Sequence, residues 1–206
     1  MAETTMILTD NSEDGINGDY PPSRWESQID AVSILLASKY QAMSDNAAGL
    51  ATMAGKAVDV LCTPTQDGSK VSSTLFGAKV GGHIHLVNVK LVLMKALQIS
   101  ILALKNRPNT RTKQRILLFV GSKITESVDE VRVIGKKLAK NSVAITIFSF
   151  GETSAEQKAK IEALYKAVNN EDNSSVYVVE RGRNLTDTLV SSSLFRDDKD
   201  KQLSAA

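Results

Sequence analysis

The stretch RILLFV, Arg115–Val120, decides the fold class of this chain. Every residue after Arg115 in this stretch is apolar, and no polar residue stands at alternate positions. A strand with one face in solvent alternates apolar and polar residues, whereas a strand covered on both faces is apolar throughout. The stretch therefore predicts a central strand of a mostly parallel sheet, with helices packed on both faces.

The sequence that follows this strand alternates helices and strands. Ser127 and Glu130 have the spacing of a capping box, in which each side chain satisfies a free backbone N–H at the start of a helix. Ser154 and Gln157 are expected to cap a second helix in the same way. The other predicted elements are strands at Val143–Phe150 and Val176–Val179 and a short helix at Leu185–Ser191.

The sequence that precedes it follows the same alternation, with one exception. Two short strand candidates are separated by a few residues that include Gly55, a spacing that predicts an antiparallel hairpin. The predicted elements are strands at Thr4–Thr9, Gly49–Met53 and Ala57–Thr63, an extended segment at His83–Val87, and helices at Ser23–Met43, Lys70–Leu75 and Lys90–Asn106.

This order of elements predicts a doubly wound α/β fold. The sheet is expected to be mostly parallel, with one antiparallel edge strand and helices on both faces. We expect one domain over residues 1–194 and a polar tail or linker over 195–206. In such folds, ligands and partners meet the loops at the carboxyl ends of the strands.

Composition excludes several classes of protein. The chain has 206 residues, of which 42% are hydrophobic, and this is ample for a core. Its net charge of +2 gives no reason to expect a nucleic-acid or membrane partner. The single cysteine, Cys62, rules out a disulfide framework within the chain and is expected to be a buried thiol in a reducing compartment. The apolar stretch Leu86–Leu104 is interrupted by Lys90 and Lys95, so we expect a buried helix rather than a membrane span.

Motifs of catalysis and of nucleotide binding are missing from the sequence. Gly121-Ser122-Lys123 resembles only the end of a phosphate-binding loop, because the upstream glycine is absent. No G-x-S-x-G elbow is present, and His83 and His85 have no cysteine or carboxylate cluster beside them in sequence. We therefore expect no enzyme activity and no cofactor. An enzyme remains an alternative only if a pocket gathers titratable groups that are far apart in sequence.

The loop after the first strand, in the stretch ILTDNSEDG at Ile7–Gly15, has the oxygen donors of a metal site. Asp10, Ser12 and Asp14 resemble the first element of the metal-ion-dependent adhesion site of von Willebrand A domains. That resemblance implies a Thr from a second loop and an Asp from a third loop, which together serve the roughly six-coordinate Mg²⁺. Here Gly121-Ser122 stands in place of the Asp, and Lys95 stands near the expected Thr. We therefore expect a degenerate site that binds no metal.

A longer set of motifs resembles a narrower family, the ubiquitin-receptor von Willebrand A subunit of the proteasome regulatory particle (the non-ATPase regulatory subunit 4 family), with plant versions most similar. Its D-N-S-E and N-G-D-[YF]-x-P-[ST]-R motifs match Asp10–Glu13 and Asn17–Arg24. The resemblance runs from about Met1 to Leu194. Its further matches are Gly49–Lys70, Ala96–Arg107, Gln114–Ser122 and Lys140–Glu152.

This resemblance implies a non-catalytic docking domain in the cytoplasm and nucleus. It implies binding to lid and base subunits of the regulatory particle, stabilisation of their association, and indirect support for the delivery of ubiquitylated substrates. The family's ubiquitin-binding helices, an acidic run followed by Leu-x-x-Ala-x-x-x-Ser, have no match in this chain. The residues expected to contact partners are Asp10, Asn11, Ser12, Glu13, Asn17, Asp19 and Arg24.

Several positions depart from the family pattern. Asp14-Gly15 and Ile16 change the loop expected to bind partners, and Thr146 replaces a usual Asp. An insert near residues 87–95 is expected to extend the helix that follows it. Asp10 is expected to accept hydrogen bonds within its loop, and one alternative is that it orders only that loop. The alternative function is a metal-dependent, ligand-binding von Willebrand A domain of adhesion type.

Overall fold

The computed structural model describes residues 1–55, 57–80, 92–192 and 194, and these form an α/β fold around one six-stranded sheet. The strand order is β3-β2-β1-β4-β5-β6, in which only the β2–β3 pair is antiparallel. The predicted fold class and the predicted hairpin are confirmed. The strands are β1 Glu3–Thr9, β2 Ala47–Thr52, β3 Asp59–Thr65, β4 Lys113–Val120, β5 Val143–Ser149 and β6 Ser175–Val178.

Helices cover both faces of the sheet. Of the helices that the structure describes, α1, α2 and α6 pack on one face and α3, α4 and α5 on the other. A single turn of 3-10 helix, Glu13–Ile16, follows β1. The α-helices are α1 Arg24–Ala42, α2 Gly68–Gly77, α3 Leu93–Lys105, α4 Val128–Lys140, α5 Ala155–Val168 and α6 Leu185–Ser191.

Strand β4 divides the two halves of the core, as the run RILLFV predicted. Leu117 and Phe119 point into the core beneath α1, α2 and α6. Ile116, Leu118 and Val120 point into the core beneath α3, α4 and α5. All five side chains are fully buried, so an apolar residue is needed at each successive position of the strand.

Capping side chains define most helix starts. The capping box of Ser127 and Glu130 is confirmed, and Ser154 accepts from the backbone N–H of Gln157 as predicted. The predicted capping role of the Gln157 side chain is wrong. That side chain is buried and binds the loop after β4, where it accepts from Ile124 N and donates to Ser122 O. Helix α2 begins before the predicted Lys70, because Asp67 caps it.

Several predictions fall outside the described residues. These are the extended segment His83–Val87, the pair His83 and His85, the first part of the insert near residues 87–95, and the tail at 195–206. Helix α3 begins at Leu93, so the end of the insert lies in its first turn. No helix in the described ranges is both long enough and apolar enough to cross a membrane.

Candidate functional site

The candidate site lies where β1 and β4 end at the carboxyl edge of the sheet. These two strands are parallel neighbours, with Leu8 opposite Leu118. The loop after β1, which begins at Asp10, and the loop after β4, which begins at Gly121, therefore emerge side by side. Apolar strands anchor both loops from below, so the polar residues that follow them are held in fixed positions.

The Asp10 carboxylate joins the two loops. Its Oδ1 accepts from the backbone N–H of Ser12 at 3.0 Å, within its own loop. Its Oδ2 accepts from the backbone N–H of Gly121 at 2.9 Å and from the Ser122 hydroxyl at 2.7 Å. The prediction that Asp10 accepts hydrogen bonds within its loop is confirmed. Asp10 also fixes the loop after β4, so the order that it supplies extends beyond its own loop.

The same Gly121 peptide is held from its other side by Arg24. The Arg24 Nη1 donates to Gly121 O at 2.7 Å, while Nε and Nη2 donate to the two Asp19 carboxylate oxygens at 2.7 Å each. The bidentate hydrogen bonds from Arg24 lower the pKa of Asp19. Hydrogen bonding to Asp19 likewise raises the pKa of Arg24. The side chain of Arg24 is buried, so this pair fixes the loop rather than presenting a free cation.

Close packing leaves no room for a side chain at the crossing point of these loops. Gly151 has a φ of +77°, and a Cβ there would lie 2.4 Å from Gly121 O. A Cβ on Gly121 would lie 2.5 Å from the ring of Phe150. Both positions therefore require glycine, one for its left-handed backbone and the other for close approach.

Further hydrogen bonds tie the outer part of the first loop to the end of β6. The Tyr20 hydroxyl donates to Val179 O at 2.8 Å and accepts from Gly151 N at 3.0 Å. Gly182 N donates to Asp19 O at 3.0 Å. Loops after β1, β4, β5 and β6 are thus joined into one surface at this edge of the sheet.

The predicted partner-binding residues divide into two groups. Asp10, Asn11, Ser12 and Arg24 are buried, and they hold the loop in shape. Asn11, for example, accepts from Ala54 N at 2.9 Å and donates to Lys79 O at 3.3 Å. Glu13 and Asn17 are exposed and Asp19 is half-buried, so only these three offer side-chain surface to a partner.

The departures from the family pattern give this loop a rigid apolar tip. Gly15 is buried, and an added Cβ there would touch Val80 and Trp25. Its N–H donates to Ser12 O at 2.9 Å, which closes the 3-10 turn. Ile16 follows at the tip of the turn and is 72% exposed. The loop therefore presents the aliphatic side chain of Ile16 on a turn that is packed against Val80 and Trp25.

Sequence reasoning missed four residues of this site: Tyr20, Gln28, Gly121 and Ser122. Gln28 pairs with both backbone groups of Asp10, accepting from its N–H at 2.9 Å and donating to its carbonyl at 3.0 Å. A polar residue on the otherwise apolar face of α1 was a usable signal for Gln28. Ser122 had a signal as well, since it follows the central strand directly, but it was considered only as the place of a missing carboxylate.

The donor atoms at this site do not fit a hard cation. Both oxygens of Asp10 already accept hydrogen bonds from protein donors, and Asp14 accepts from the Asn17 amide at 3.4 Å. The buried Ser12 hydroxyl has no hydrogen-bond partner among the described residues, but one neutral oxygen is a small part of the roughly six that Mg²⁺ requires. Within the described ranges, no group of three or more His, Cys, Asp or Glu residues is placed to hold a metal.

A polar cavity of about 650 Å³ lies at the opposite, amino-terminal edge of the sheet. Two of its titratable groups, Glu3 and Arg115, are paired: Glu3 accepts from Lys39 and from Arg115, and Arg115 also donates to Thr146 Oγ1 at 3.0 Å. Burial by itself would raise the pKa of Glu3, but Lys39 and Arg115 outweigh it and hold that pKa far below its usual range. These two cations therefore keep Glu3 ionised as a structural group.

Known proteins match this chain over nearly its whole length. Residues 5–124 match the family model described as von Willebrand factor type A domain. The 26S proteasome non-ATPase regulatory subunit 4 homolog of Arabidopsis thaliana is 45% identical over 199 residues, which cover 96% of this chain and 50% of the relative. The 26S proteasome regulatory subunit RPN10 of Saccharomyces cerevisiae is 36% identical over 200 residues, covering 95% of this chain and 71% of the relative.

A solved structure has the same fold and a related sequence. The crystal structure of the SpRpn10 VWA domain matches with a TM-score of 0.83 at 34% identity, covering 94% of this chain and 97% of that one. The chain spans about half the length of the plant relatives, 48% and 50%. The chain therefore belongs to the von Willebrand factor type A family and, within it, to the family of 26S proteasome non-ATPase regulatory subunit 4.

Proposed function

We propose that this chain is a non-catalytic docking domain of the proteasome regulatory particle. In this role it binds lid and base subunits, stabilises their association, and supports the delivery of ubiquitylated substrates without binding ubiquitin itself. The observation that carries the proposal is the joined loop surface at the carboxyl edge, in a chain whose relatives are regulatory subunits of the proteasome.

The geometry supports docking because the loop is ordered before any partner arrives. Asp10, Arg24 and Gln28 hold the backbone from beneath, and all three are buried. A preordered surface loses little conformational entropy on binding, so more of the contact energy contributes to affinity. The contact surface itself consists of Glu13, Ile16, Asn17 and Asp19, and the buried residues act by positioning them.

We propose two further points from the resemblance to this family. The domain performs no chemistry of its own, in keeping with the pairing of Glu3 with Lys39 and Arg115. It works in the cytoplasm and the nucleus as part of the particle. Cell fractionation of the full-length protein, with a core proteasome subunit followed alongside it, tests this placement.

The proposal is tested with purified regulatory particle that has been depleted of its own copy of this subunit. The labelled chain is added, and its comigration with the particle on a native gel is measured together with the recovery of lid–base association. We expect binding and a larger fraction of intact particle. A chain whose circular dichroism shows it to be folded, yet which fails to bind, would contradict the proposal.

Changing the exposed side chain of Ile16, at the tip of the loop after β1, refines this test. Ile16→Asp changes an exposed side chain and leaves the buried hydrogen bonds untouched, so it tests the contact surface alone. Val133→Asp is the matched control, because Val133 is 64% exposed on α4 and lies outside the loop. We expect Ile16→Asp to weaken binding about tenfold, as loss of a buried aliphatic contact implies, and Val133→Asp to bind normally.

A further inference from the structure

Strand β6 is the last strand of the sheet, and among the described residues no strand pairs with its outer side. Val179 N donates to Ser149 O at 2.9 Å, so the backbone N–H of Val179 points towards β5. Because backbone groups alternate sides along a strand, the N–H and C=O of Val176 and of Val178 point away from β5. These groups form a short row that an added strand would satisfy.

The two edges of the sheet differ in how they are protected. Natural edge strands are protected from pairing by charged residues, by proline or by irregular pairing. At the other edge, β3 contains Asp59 and Pro64, and its pairing with β2 shifts register. Strand β6, with the sequence SVYV, has no charge and no proline. Its length of four residues limits pairing, but β6 has none of the other three devices, so it is the less protected of the two edges.

A mostly apolar groove of about 290 Å³ lies beside this edge, between β6 and α5. Its lining includes Phe150, Ile161, Tyr165 and the same Val176 and Val178 whose backbone groups point outward. Val178 is 59% exposed, so its side chain is accessible to a partner. The edge thus offers backbone hydrogen bonds and an apolar groove to a single extended segment.

The end of β6 is joined to the loop after β1, residues 10–23, whose exposed side chains form the proposed contact surface. Val179, which follows β6, accepts from Tyr20, and Gly182 donates to Asp19, so the end of β6 is fixed to the loop after β1. A partner chain bound at the loop is therefore placed beside the free edge of β6. This continuity favours a segment of that same partner over an unrelated small ligand.

We infer that β6 and its groove bind an extended, uncharged segment of a regulatory-particle subunit, which adds to the sheet as a further strand. Backbone hydrogen bonds to Val176 and Val178 give the affinity, and apolar side chains at every second position of the segment enter the groove. This inference rests on the proposed docking function and names a second part of the same surface.

The test uses two variants of Val178 and one control. Val178→Pro removes an outward N–H without breaking a bond to β5, and proline is tolerated on the free side of an edge strand. Val178→Lys places a charge at the groove, and Val133→Lys is its control at similar exposure on α4. We expect both Val178 variants to bind purified regulatory particle about tenfold more weakly and Val133→Lys to bind as the unmodified chain does.

Hydrogen exchange at residue resolution gives an independent readout on the unmodified chain. We expect the amide hydrogens of Val176 and Val178 to exchange at least about tenfold more slowly in the complex than in the free chain. If the chain docks while these amides and the affinities of the Val178 variants stay unchanged, the inference is overturned and the docking function stands. If the unmodified, folded chain does not dock, both are overturned.

Hydrogen exchange in the free chain tests whether a second copy, or another part of this chain, covers the outer side of β6. Protection of these amides that rises with protein concentration, with a dimer seen by sedimentation, would show that a second copy occupies the edge and would overturn the inference. Protection at every concentration would show that another part of this chain covers the edge, with the same consequence. Unprotected amides in the free chain are the result that we expect.

Discussion

The amino-terminal and carboxyl ends of the parallel strands each have a buried carboxylate, Glu3 and Asp10. Comparing the two shows how one fold separates the groups that stabilise it from those that shape a binding surface. Glu3, at the amino-terminal edge, is paired with two cations, Lys39 and Arg115. Asp10, at the carboxyl edge, is satisfied by neutral backbone and hydroxyl donors from two loops. The first arrangement ties α1, β1 and β4 together. The second fixes the shape of a surface, so its loss is expected to lower the affinity for a partner more than it lowers the stability of the fold.

Glu3→Ala has the largest expected effect on stability. It leaves Lys39, whose side chain is 3% exposed, as a buried cation without its carboxylate. We expect a loss of about 3 kcal/mol in the free energy of unfolding, measured with chemical denaturant. Glu162→Ala is the control, because the pair of Glu162 and Lys166 is exposed at 62% and 70% and should contribute little to stability. Equal losses in the two variants would contradict this account of the amino-terminal edge.

Acid is expected to weaken the same cluster. In the unfolded chain Glu3 has its ordinary pKa of 4.5, whereas ion pairs hold the folded pKa far below that value. The unfolded state therefore takes up the proton first. The stabilisation is complete above the unfolded pKa and is lost as the pH falls through the range below it.

The measurement compares the unfolding free energy at about pH 6 and about pH 3 for the unmodified chain and for Glu3→Gln. We expect the unmodified chain to lose more stability on acidification than Glu3→Gln does. The extra loss should be smaller than that of Glu3→Ala, because at about pH 3 the folded chain still has the ionised Glu3 and its ion pairs, and only the unfolded state has gained the proton. Parallel pH curves for the two chains would show that the cluster does not titrate in this way.

Asp10→Ala is expected to cost less stability than Glu3→Ala, because it leaves neutral groups unsatisfied rather than a buried cation. Three donors lose their acceptor: Ser12 N, Gly121 N and the Ser122 hydroxyl. We expect a loss of about 2 kcal/mol, measured by the same denaturation experiment. Asp14→Ala is the control in the same loop, since Asp14 is half-buried and accepts one long hydrogen bond from Asn17.

Ser122→Ala has the smallest expected effect of these changes. It removes one of the donors to Asp10 and leaves the backbone donor Gly121 N in place. We expect a loss of about 1 kcal/mol in unfolding free energy, with Ser69→Ala as an exposed serine control on α2 that should change nothing. A neutral result for Ser122→Ala would mean that Asp10 holds the loop after β4 through Gly121 N alone.

The sequence predicted the fold well because the fold depends on local patterns. The run RILLFV indicated burial on both faces, and β4 has alternate residues in two separate cores. The hairpin around Gly55 and the capping box of Ser127 and Glu130 depend on neighbouring residues in the same way. Each of these signals lies within a few residues, so no knowledge of tertiary contacts was needed.

The site was predicted only in part because its bonds join distant loops. Asp10 and Ser122 are 112 positions apart, and no local pattern indicates that they meet. Arg24 was expected to be a contact residue because it ends the N-G-D-[YF]-x-P-[ST]-R motif of the family, yet it is buried against Asp19 and Gly121. The sequence therefore indicated which loop matters, while the division between supporting and exposed residues required the structure.

The most direct test of the account compares docking of Asp10→Ala and Glu3→Gln, both shown to be folded at the temperature used. Affinity for purified regulatory particle lacking its own copy of this subunit is measured by fluorescence anisotropy, with Mg²⁺ present and with chelator. We predict that Asp10→Ala binds at least about tenfold more weakly, that Glu3→Gln binds within about twofold of the unmodified chain, and that chelator changes neither value. Equal weakening of both variants, or binding of the unmodified chain that disappears with chelator, would contradict the claim that Asp10 shapes a metal-free docking surface.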